Sequence, residues 1–210
     1  MEINKRKIHA GIYLVIDPSI DEAILLNKLK LIAEEPIAAV QIWDNFLADQ
    51  HIEEFIKTIT TICHKKNIPV LINNNWKWLR STELDGVHFD KPPDNIDQIR
   101  QSVKRHFICG ITCNNDLSLV HWANQNHIDY ISFCSVFPSS TSNSCELVTF
   151  ENIAKCKEIT AIPVFLAGGI TLENMPKLKD LPFNGIAVIS GIMNSATPKE
   201  TIKKYTELLK

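Results

Sequence analysis

The sequence predicts an α/β protein in which eight strands and eight helices alternate and close into one barrel. Two observations favour this fold. Short, continuously apolar runs recur along the 210 residues, which is typical of strands that are buried on both faces of a parallel sheet. Helical patterns separate these runs, and each strand–helix unit spans about 26 residues, close to the size of a minimal βαβ repeat.

Eight segments have the length and composition of buried strands. In chain order they are Ile12–Ile16, Ala38–Ile42, Pro69–Asn73, Gly86–Phe89, Phe107–Thr112, Asp129–Phe133, Ile162–Ala167 and Gly185–Ile189. None shows the strict apolar–polar alternation of a strand with one wet face, so we expect helices to cover the sheet.

The intervening segments show the periodicity of amphipathic helices. From Asp21 to Ile32, apolar residues occur at i, i+3, i+4 and i+7, and Gln50–His64 has a similar apolar face. The run Thr197-Pro-Lys-Glu200 is a helix start, with an N-cap threonine, proline at the first helical position and glutamate three residues after the cap. Further predicted helical stretches are Trp76–Thr82, Ile96–Lys104, Leu117–Gln125, Phe150–Glu158 and Leu172–Leu178.

The chain carries no linker, repeat or low-complexity segment, so residues 1–210 are predicted to form a single (β/α)₈ TIM barrel. An open, doubly wound sheet is the alternative. Such a sheet binds nucleotides through a glycine-rich loop after its first strand. Here Asp17-Pro18-Ser19 follows the first strand, which argues against a nucleotide-binding sheet.

The charge balance excludes some partners. With 22 Lys and Arg against 24 Asp and Glu, the formal net charge is −2, too small to attract nucleic acid or an anionic membrane. No apolar run approaches the about 20 residues of a membrane span, and the N-terminus lacks the apolar core of a signal peptide. We expect a cytoplasmic protein without nucleic-acid or membrane partners, and the sequence leaves a homo-oligomer open.

Two glycine-containing loops follow the last two strands. Gly168-Gly169 follows the seventh strand and Ser190-Gly191 follows the eighth. Glycines let the backbone approach a ligand closely, backbone amides there bind phosphate oxygens, and barrels commonly hold a phosphate at these loops. The sequence therefore predicts a phosphate site, with two tight, ligand-free turns as the alternative.

Other chemistry is predicted at neighbouring strand ends. His88 ends the fourth strand, where it would serve as a general base or pack as a neutral core histidine. Trp43 follows the second strand and would stack on a heteroaromatic ring or fill space. Cys113 follows the fifth strand.

A set of short motifs recurs at the strands and strand ends along nearly the whole sequence. The motifs are Tyr13-Leu-Val-Ile-Asp17, Val40-Gln41, Pro69-Val-Leu-Ile-Asn73-Asn74, Asp85-Gly-Val-His88, Asp129-Tyr-Ile131, Ser135-Val-Phe-Pro-Ser139-Ser-Thr141, Ile162-Pro-Val164, Ala167-Gly-Gly-Ile170 and Gly185-Ile-Ala-Val-Ile-Ser-Gly-Ile192. In their order and spacing they resemble the family of thiamine-phosphate synthase and the TenI thiazole tautomerase. The resemblance implies a (β/α)₈ barrel of thiamine biosynthesis. The synthases join a hydroxymethylpyrimidine diphosphate to a thiazole phosphate with magnesium, whereas the tautomerases aromatise the thiazole phosphate without metal.

The resemblance implies that the half of the site that binds thiazole phosphate is retained. The matched residues are Gly168, Gly169, Ile189 and Ser190 for the phosphate, Ser139 and Thr141 for a hydroxyl-bearing loop, and Gln41 and Asn73 for the pyrimidine side. In the same way, the tautomerase's base falls in the stretch that here contains Thr112 and Cys113.

The half that binds diphosphate differs from the family. The Gln-x-Arg-x-Lys of the synthases reads Gln41-Ile-Trp43-Asp-Asn45, and the magnesium-binding Asp after the third strand is Asn74. The second magnesium Asp falls at Pro93 and is restored at Asp94 only by a one-residue shift. The family's Lys after Thr141 is Ser142, and its His after the fifth strand is Asn114.

These matches and losses lead to one hypothesis and two alternatives. We expect a TenI-like or catalytically degenerate protein that binds thiazole phosphate, or a related small phosphorylated ligand, without a cofactor. His88 and Cys113 are its candidate catalytic residues, and Trp43 and Asn74 join the matched residues as substrate-binding candidates. The first alternative is an active, Mg²⁺-dependent thiamine-phosphate synthase with a rearranged site, and the second is a non-catalytic homologue.

Overall fold

A computed structural model describes residues 6–139 and 146–210 and confirms the predicted (β/α)₈ barrel. Eight parallel strands close into a ring in sequence order, with the last strand paired to the first. The strands are β1 (Gly11–Ile16), β2 (Ala39–Ile42), β3 (Val70–Asn73), β4 (Gly86–Phe89), β5 (Ile108–Cys113), β6 (Tyr130–Cys134), β7 (Val164–Ala167) and β8 (Gly185–Val188). All eight predicted strands are present, within a few residues of their predicted bounds.

The described residues form seven α-helices around the sheet. They are α1 (Glu22–Ile32), α2 (Ile52–His64), α3 (Ile96–Val103), α4 (Ser118–Gln125), α5 (Phe150–Ile159), α6 (Ser190–Met193) and α7 (Pro198–Leu208). None of them has the length and apolarity that a membrane crossing needs.

Two predicted helices are only 3₁₀ turns, at Trp76–Arg80 and Met175–Leu178. In the second, Pro176 lacks the amide that a longer helix would use and disfavours helical backbone before it. The first lies in a connection of only a dozen residues between β3 and β4. The short helix α6 was not predicted, because four residues carry no periodic signal.

The apolar side chains form two separate layers. The larger layer lies between the outer face of the sheet and the helices. The smaller layer fills the barrel interior, where Tyr13, Tyr130 and Phe165 contact one another with ring centroids 5.6–5.7 Å apart. A Cβ atom at Gly110 would overlap the Tyr130 ring, so that glycine makes room for the tyrosine. The three rings form the floor beneath the open end of the barrel.

A recurring hydrogen bond between a side chain and the backbone stabilises the opposite end of the barrel. The residue before β4, β6 and β8 is in each case Asp or Asn, and its side chain accepts a hydrogen bond from an amide near the start of the preceding strand. The pairs are Asp85 with Val70 (2.8 Å), Asp129 with Cys109 (2.7 Å) and Asn184 with Val164 (2.9 Å). These bonds satisfy amides that would otherwise be left without a partner at the strand start.

Asp85 also accepts hydrogen bonds from two side chains. Besides the Val70 amide, it accepts from Arg6 and His64, each at 2.9 Å. Burial alone would raise the pKa of Asp85, but the hydrogen bonds from His64, Val70 and Arg6 outweigh burial and hold it below its usual value. The ionised carboxylate therefore stabilises the fold at neutral pH, and this contribution is lost as pH falls through the lowered pKa.

We expect Asp85→Asn to lower the free energy of unfolding at pH 7 by about 1–3 kcal/mol, because a partly buried carboxylate that accepts from Arg6 is lost. The deficit should narrow in acid, where the wild-type carboxylate is also protonated. Urea denaturation across the acid range measures both effects. Asp97→Asn is the control, since Asp97 pairs with Arg100 on the surface and should change stability by less than about 1 kcal/mol. Equal losses in the two variants would contradict the role of Asp85.

Candidate functional site

The carboxyl ends of the strands surround a cavity of about 940 Å³. All eight strands or the loops that follow them line it. The size suits a small organic ligand, and its position is where barrels of this class carry their sites.

One side of the cavity is built from the backbone after β7. Gly168 and Gly169 have φ angles of +88° and +64°, a backbone region that residues other than glycine rarely adopt. A Cβ atom at Gly168 would also overlap Ser135, and one at Gly169 would overlap the carbonyls of Phe137 and Pro138. Both glycines are therefore required by conformation and by space.

Side chains from outside the loop hold this backbone in place. Asn174 donates from Nδ2 to the Gly169 carbonyl at 2.7 Å, and the Tyr205 hydroxyl donates to the Ile170 carbonyl at 3.2 Å. The loop after β8 is held from α1, since Lys28 Nζ donates to the carbonyls of Met193 and Ser195. The two loops are thus fixed before any ligand arrives.

These loops present free donors to the cavity. Within the described part of the chain, the backbone amides of Gly169, Ser190 and Gly191 have no hydrogen-bond partner, and all three residues line the cavity. Amides fixed in this way bind an anion without a positively charged side chain. We call Gly168, Gly169, Ser190 and Gly191 the amide corner.

The opposite side of the cavity is a chain of polar side chains joined by hydrogen bonds, which we call the polar chain. In order its members are Ser132, Thr112, His88, Tyr130, Tyr13, Gln41, Asn73 and Asp90. The bonds are 2.8–3.0 Å long, except for a weaker Thr112–Ser132 contact at 3.4 Å and a short contact from Gln41 to Asn73. The inward-facing positions of six strands bring these residues together.

His88 is neutral in this setting. Its Nδ1 lies 2.8 Å from the Tyr130 hydroxyl and its Nε2 lies 2.8 Å from the Thr112 hydroxyl. Burial lowers the pKa of His88 to about 4, against a smaller opposing effect of the Asp90 carboxylate. The imidazole, which lines the cavity, is therefore a base rather than a cation at neutral pH.

The mouth of the cavity next to the polar chain is acidic. Asp44 and Asp90 each accept a hydrogen bond from the same Asn74 Nδ2, at 2.9 Å. Trp43 is half-buried beside them and lines the cavity. Among the described lining residues, Lys91 is the one Lys or Arg. This side of the cavity is therefore poor in groups that attract a dense anion.

The described residues do not form a complete set of ligands for the magnesium that the family resemblance implies. Residues 6–139 and 146–210 contain no cluster of three or more His, Cys, Asp or Glu side chains that could hold a metal ion. Between the Asp44 and Asp90 carboxylates, the donor group of Asn74 already occupies the place that a cation would need. An amide nitrogen is not a ligand for Mg²⁺, which prefers oxygen.

Most of the predicted site residues line this cavity. They are Gln41, Trp43, Asn73, His88, Ser139, Gly168, Gly169, Ile189 and Ser190. Asn74 stands at the mouth through its bonds to Asp44 and Asp90. Thr141 lies outside the described residues.

The structure places Cys113, a predicted catalytic candidate, away from the cavity. Residues of β5 alternate, so that Gly110 and Thr112 face the interior while Cys113 faces the helices and belongs to the outer apolar layer. Its side chain is fully buried, and burial raises the pKa of the thiol to about 12. The Cys113 thiol is therefore protonated and turned away from the cavity, which does not suit a catalytic residue.

Sequence reasoning missed several members of the polar chain. Tyr13, Tyr130 and Ser132 lie within strands, before the strand end, and are not predicted site residues. Thr112 is predicted only as part of the stretch that the resemblance implies holds a base. Residues at alternate positions of a strand share a face, which groups Tyr13 with Val15 and Tyr130 with Ser132, but the predicted strand bounds do not show which face is inward. The same alternation places Thr112 and Cys113 on opposite faces of β5.

Comparison with known proteins agrees with this architecture. A family model described as "Thiamine monophosphate synthase" matches residues 12–192. The chain belongs to this family. A thiamine-phosphate synthase of Clostridium tetani is 28% identical over 211 residues, covering 99% of this chain and 97% of the relative. One from Azoarcus is 27% identical over 200 residues, covering 94% and 96%.

Solved structures show the same fold. Thiamine phosphate pyrophosphorylase from Pyrococcus furiosus superposes with a TM-score of 0.81 at 20% identity, covering 98% of this chain and 96% of that chain. A geranylgeranylglyceryl phosphate synthase from Thermoplasma acidophilum, in complex with sn-glycerol-1-phosphate, has a TM-score of 0.69 at 13% identity, with 96% and 94% covered. At these identities the superpositions establish the barrel alone.

The lowered pKa of His88 predicts a pH-dependent stability. Between pH 6.5 and about 4, the ring takes up a proton in the unfolded chain but not in the folded protein. Stability should therefore fall as pH falls through this window, by about 3 kcal/mol from this residue. His88→Gln keeps hydrogen-bonding groups but has no proton to take up. The free energy of unfolding, measured by urea denaturation at several pH values, should change less with pH in the variant than in wild type. An equal dependence on pH in the two proteins would contradict a buried neutral imidazole.

Proposed function

We propose that this member of the family binds thiazole phosphate as a TenI-like or catalytically degenerate protein, rather than acting as an efficient thiamine-phosphate synthase. The observation that carries the proposal is the contrast between the two sides of the cavity. One side presents fixed, unpaired amides, and the other presents two carboxylates and a tryptophan.

The phosphate is proposed to bind at the amide corner. A phosphate monoester has acceptor oxygens and a charge near −2, and charge-assisted hydrogen bonds from several amides suit it. The corner needs no rearrangement to receive it, because Asn174, Tyr205 and Lys28 already hold its loops. Preorganisation of this kind reduces the entropic cost of binding.

The heteroaromatic ring is proposed to lie between the amide corner and the polar chain. The small side chains of Ala167 and Ala187 line the cavity there, with Phe165 below them. Apolar side chains thus line this part of the cavity, and His88 and Thr112 are among the other residues that line it. A small phosphorylated heterocycle would then place its ring against a neutral imidazole and a hydroxyl.

The acidic mouth argues against efficient displacement of a diphosphate. Such a reaction needs positive charge where the leaving group departs, and each charged hydrogen bond contributes about 1.5–3 kcal/mol. Trp43 and Asn45 supply no charge where the synthases carry Arg and Lys, and Asn74 replaces a magnesium ligand. The summed loss of about 6 kcal/mol corresponds to a rate factor of about 10⁴.

Proton transfer on the bound ring is the chemistry that the remaining groups could supply. His88 is the candidate base, acting through the Thr112 hydroxyl that covers its Nε2. General bases of this kind contribute about 10²–10⁴-fold. This activity needs no metal, in keeping with the donor set at the mouth. We place the protein in the cytoplasm without a nucleic-acid or membrane partner, and leave a homo-oligomer open.

An active synthase is the second candidate function. The curated relatives quoted above carry that name, and Lys91 lines the cavity near the mouth. In that case Lys91 would replace the cations missing from β2, and magnesium would arrive with the diphosphate substrate.

Binding of thiazole phosphate should be measurable by calorimetry without magnesium, and inorganic phosphate should compete with it. Gly169→Ala should weaken binding at least about tenfold, because the added Cβ overlaps the Phe137 and Pro138 carbonyls in a left-handed backbone. Gly11→Ala is the matched control. Gly11 also has a positive φ, with open space around it, and it lies at the opposite end of β1. Equal weakening in both variants, or no heat with wild type, would reject the phosphate site.

The two candidate functions separate in a turnover assay with both synthase substrates and magnesium. We expect no thiamine phosphate above the uncatalysed background, and no competition by pyrophosphate against thiazole phosphate beyond that of phosphate itself. Product formed by wild type but lost in Lys91→Ala would establish the synthase instead. Lys77→Ala serves as the control there, because Lys77 is exposed and does not line the cavity.

A further inference from the structure

The hydrogen bonds of the polar chain all run the same way from donor to acceptor, and we call this order the direction of the chain. Every member is linked to the next by one hydrogen bond, and its interior members Tyr13, Gln41, Asn73, His88 and Tyr130 are 6% exposed or less. Water therefore cannot easily replace a mismatched bond, and an unpaired donor or acceptor would be costly. The donors and acceptors along the chain must agree with one another from one end to the other.

Asp90 sets which atom donates in the first bond of the polar chain. An ionised carboxylate only accepts hydrogen bonds, so Asn73 must face it with Nδ2, as observed at 3.0 Å. The Asn73 Oδ1 then faces Gln41 and accepts from Gln41 Nε2. This leaves Gln41 Oε1 facing Tyr13, whose hydroxyl donates to it at 2.8 Å.

The same logic continues to the imidazole. Because the Tyr13 proton is used on Gln41, the Tyr130 hydroxyl must donate to Tyr13 across their 2.8 Å contact. Tyr130 must then accept from His88 Nδ1, which requires the proton on that nitrogen. The lone pair on His88 Nε2 is left to accept from the Thr112 hydroxyl.

We propose that Asp90 is a positioning residue that acts along the polar chain to fix His88 in the tautomer with the proton on Nδ1. No other member of the polar chain sets its direction. At the other end stand the hydroxyls of Thr112 and Ser132, which donate or accept equally well. If the carboxylate is replaced by an amide, every bond of the polar chain can be formed in the reverse direction, and only the bond from Asn74 Nδ2 to residue 90 is then lost.

The chain transmits orientation but not protons. Two of its members, Gln41 and Asn73, are carboxamides, and passing a proton through them would require an imidic acid form at each. Asp90 therefore does not serve as the final acceptor of a proton from the cavity. Its influence along the chain is on which ring nitrogen carries the hydrogen, and is separate from the smaller effect of its charge on the pKa of His88.

One consequence rests on the proposed function. With its hydrogen given to His88, the Thr112 oxygen turns only lone pairs towards the cavity. A ligand atom next to Thr112 should then be a hydrogen-bond donor, such as an amino or ring N–H group. In the reversed chain, Thr112 would instead be able to donate to a ring nitrogen or carbonyl.

The tautomer can be read in the free protein by long-range ¹H–¹⁵N NMR of the histidine rings at pH 7.5, with the His88 signals assigned from their loss in His88→Gln. In wild type we expect one form, with a protonated Nδ1 and an unprotonated Nε2 in a ratio of at least about tenfold, as a charged hydrogen bond warrants. In Asp90→Asn the ratio should fall below tenfold, with the Nε2–H form appearing. Asp90→Glu should restore the wild-type pattern, because it retains the carboxylate.

Asp44→Asn is the matched control. It removes the same charge from the same mouth and also contacts Asn74, but it has no bond to Asn73. The His88 tautomer should be unchanged in this variant. The proposal is overturned if wild-type His88 carries its proton on Nε2, if Asp90→Asn keeps the wild-type ratio, or if Asp44→Asn shifts it equally. Since no ligand is present, these results are independent of whether thiazole phosphate binds.

Discussion

The contact between the Tyr13 and Tyr130 hydroxyls, 2.8 Å apart at the centre of the barrel, is the interaction on which the site depends. The two rings fill the interior together with Phe165 and so close the barrel below the cavity. Their hydroxyls also join the two arms of the polar chain, one through His88 and the other through Gln41. Packing and polar order are thus set by the same pair of side chains.

The cavity is electrically divided, and this division decides which ligand group goes where. The amide corner offers partial positive charge from the backbone and no acidic side chain among its own members. The mouth offers the carboxylates of Asp44 and Asp90, bridged by Asn74. A ligand with one anionic end is favoured in a single orientation, whereas a ligand with a second anionic end meets repulsion.

Much of the fold could be predicted from the sequence, because doubly covered strands leave continuous apolar runs that few other structures produce. The amide corner could also be located, since Gly168 and Gly169 mark a backbone that residues other than glycine rarely adopt. The polar chain could not be assembled, because Tyr13 and Tyr130 are 117 residues apart and their meeting depends on barrel closure. The misassignment of Cys113 had a simpler origin: a strand end was located without counting which face it presents.

The placement of Asp90 resolves a conflict between orientation and charge. A carboxylate in direct contact with His88 would orient the ring strongly, but it would also raise the pKa of the imidazole and favour the cation. It would in addition require a charge to be buried beneath the cavity, which is costly. Asp90 instead remains exposed at the mouth, where water solvates it, and neutral amides and hydroxyls carry its directional effect inward. The imidazole is therefore oriented by a charge that does not protonate it, and a neutral base is held in one tautomer at the floor of the site.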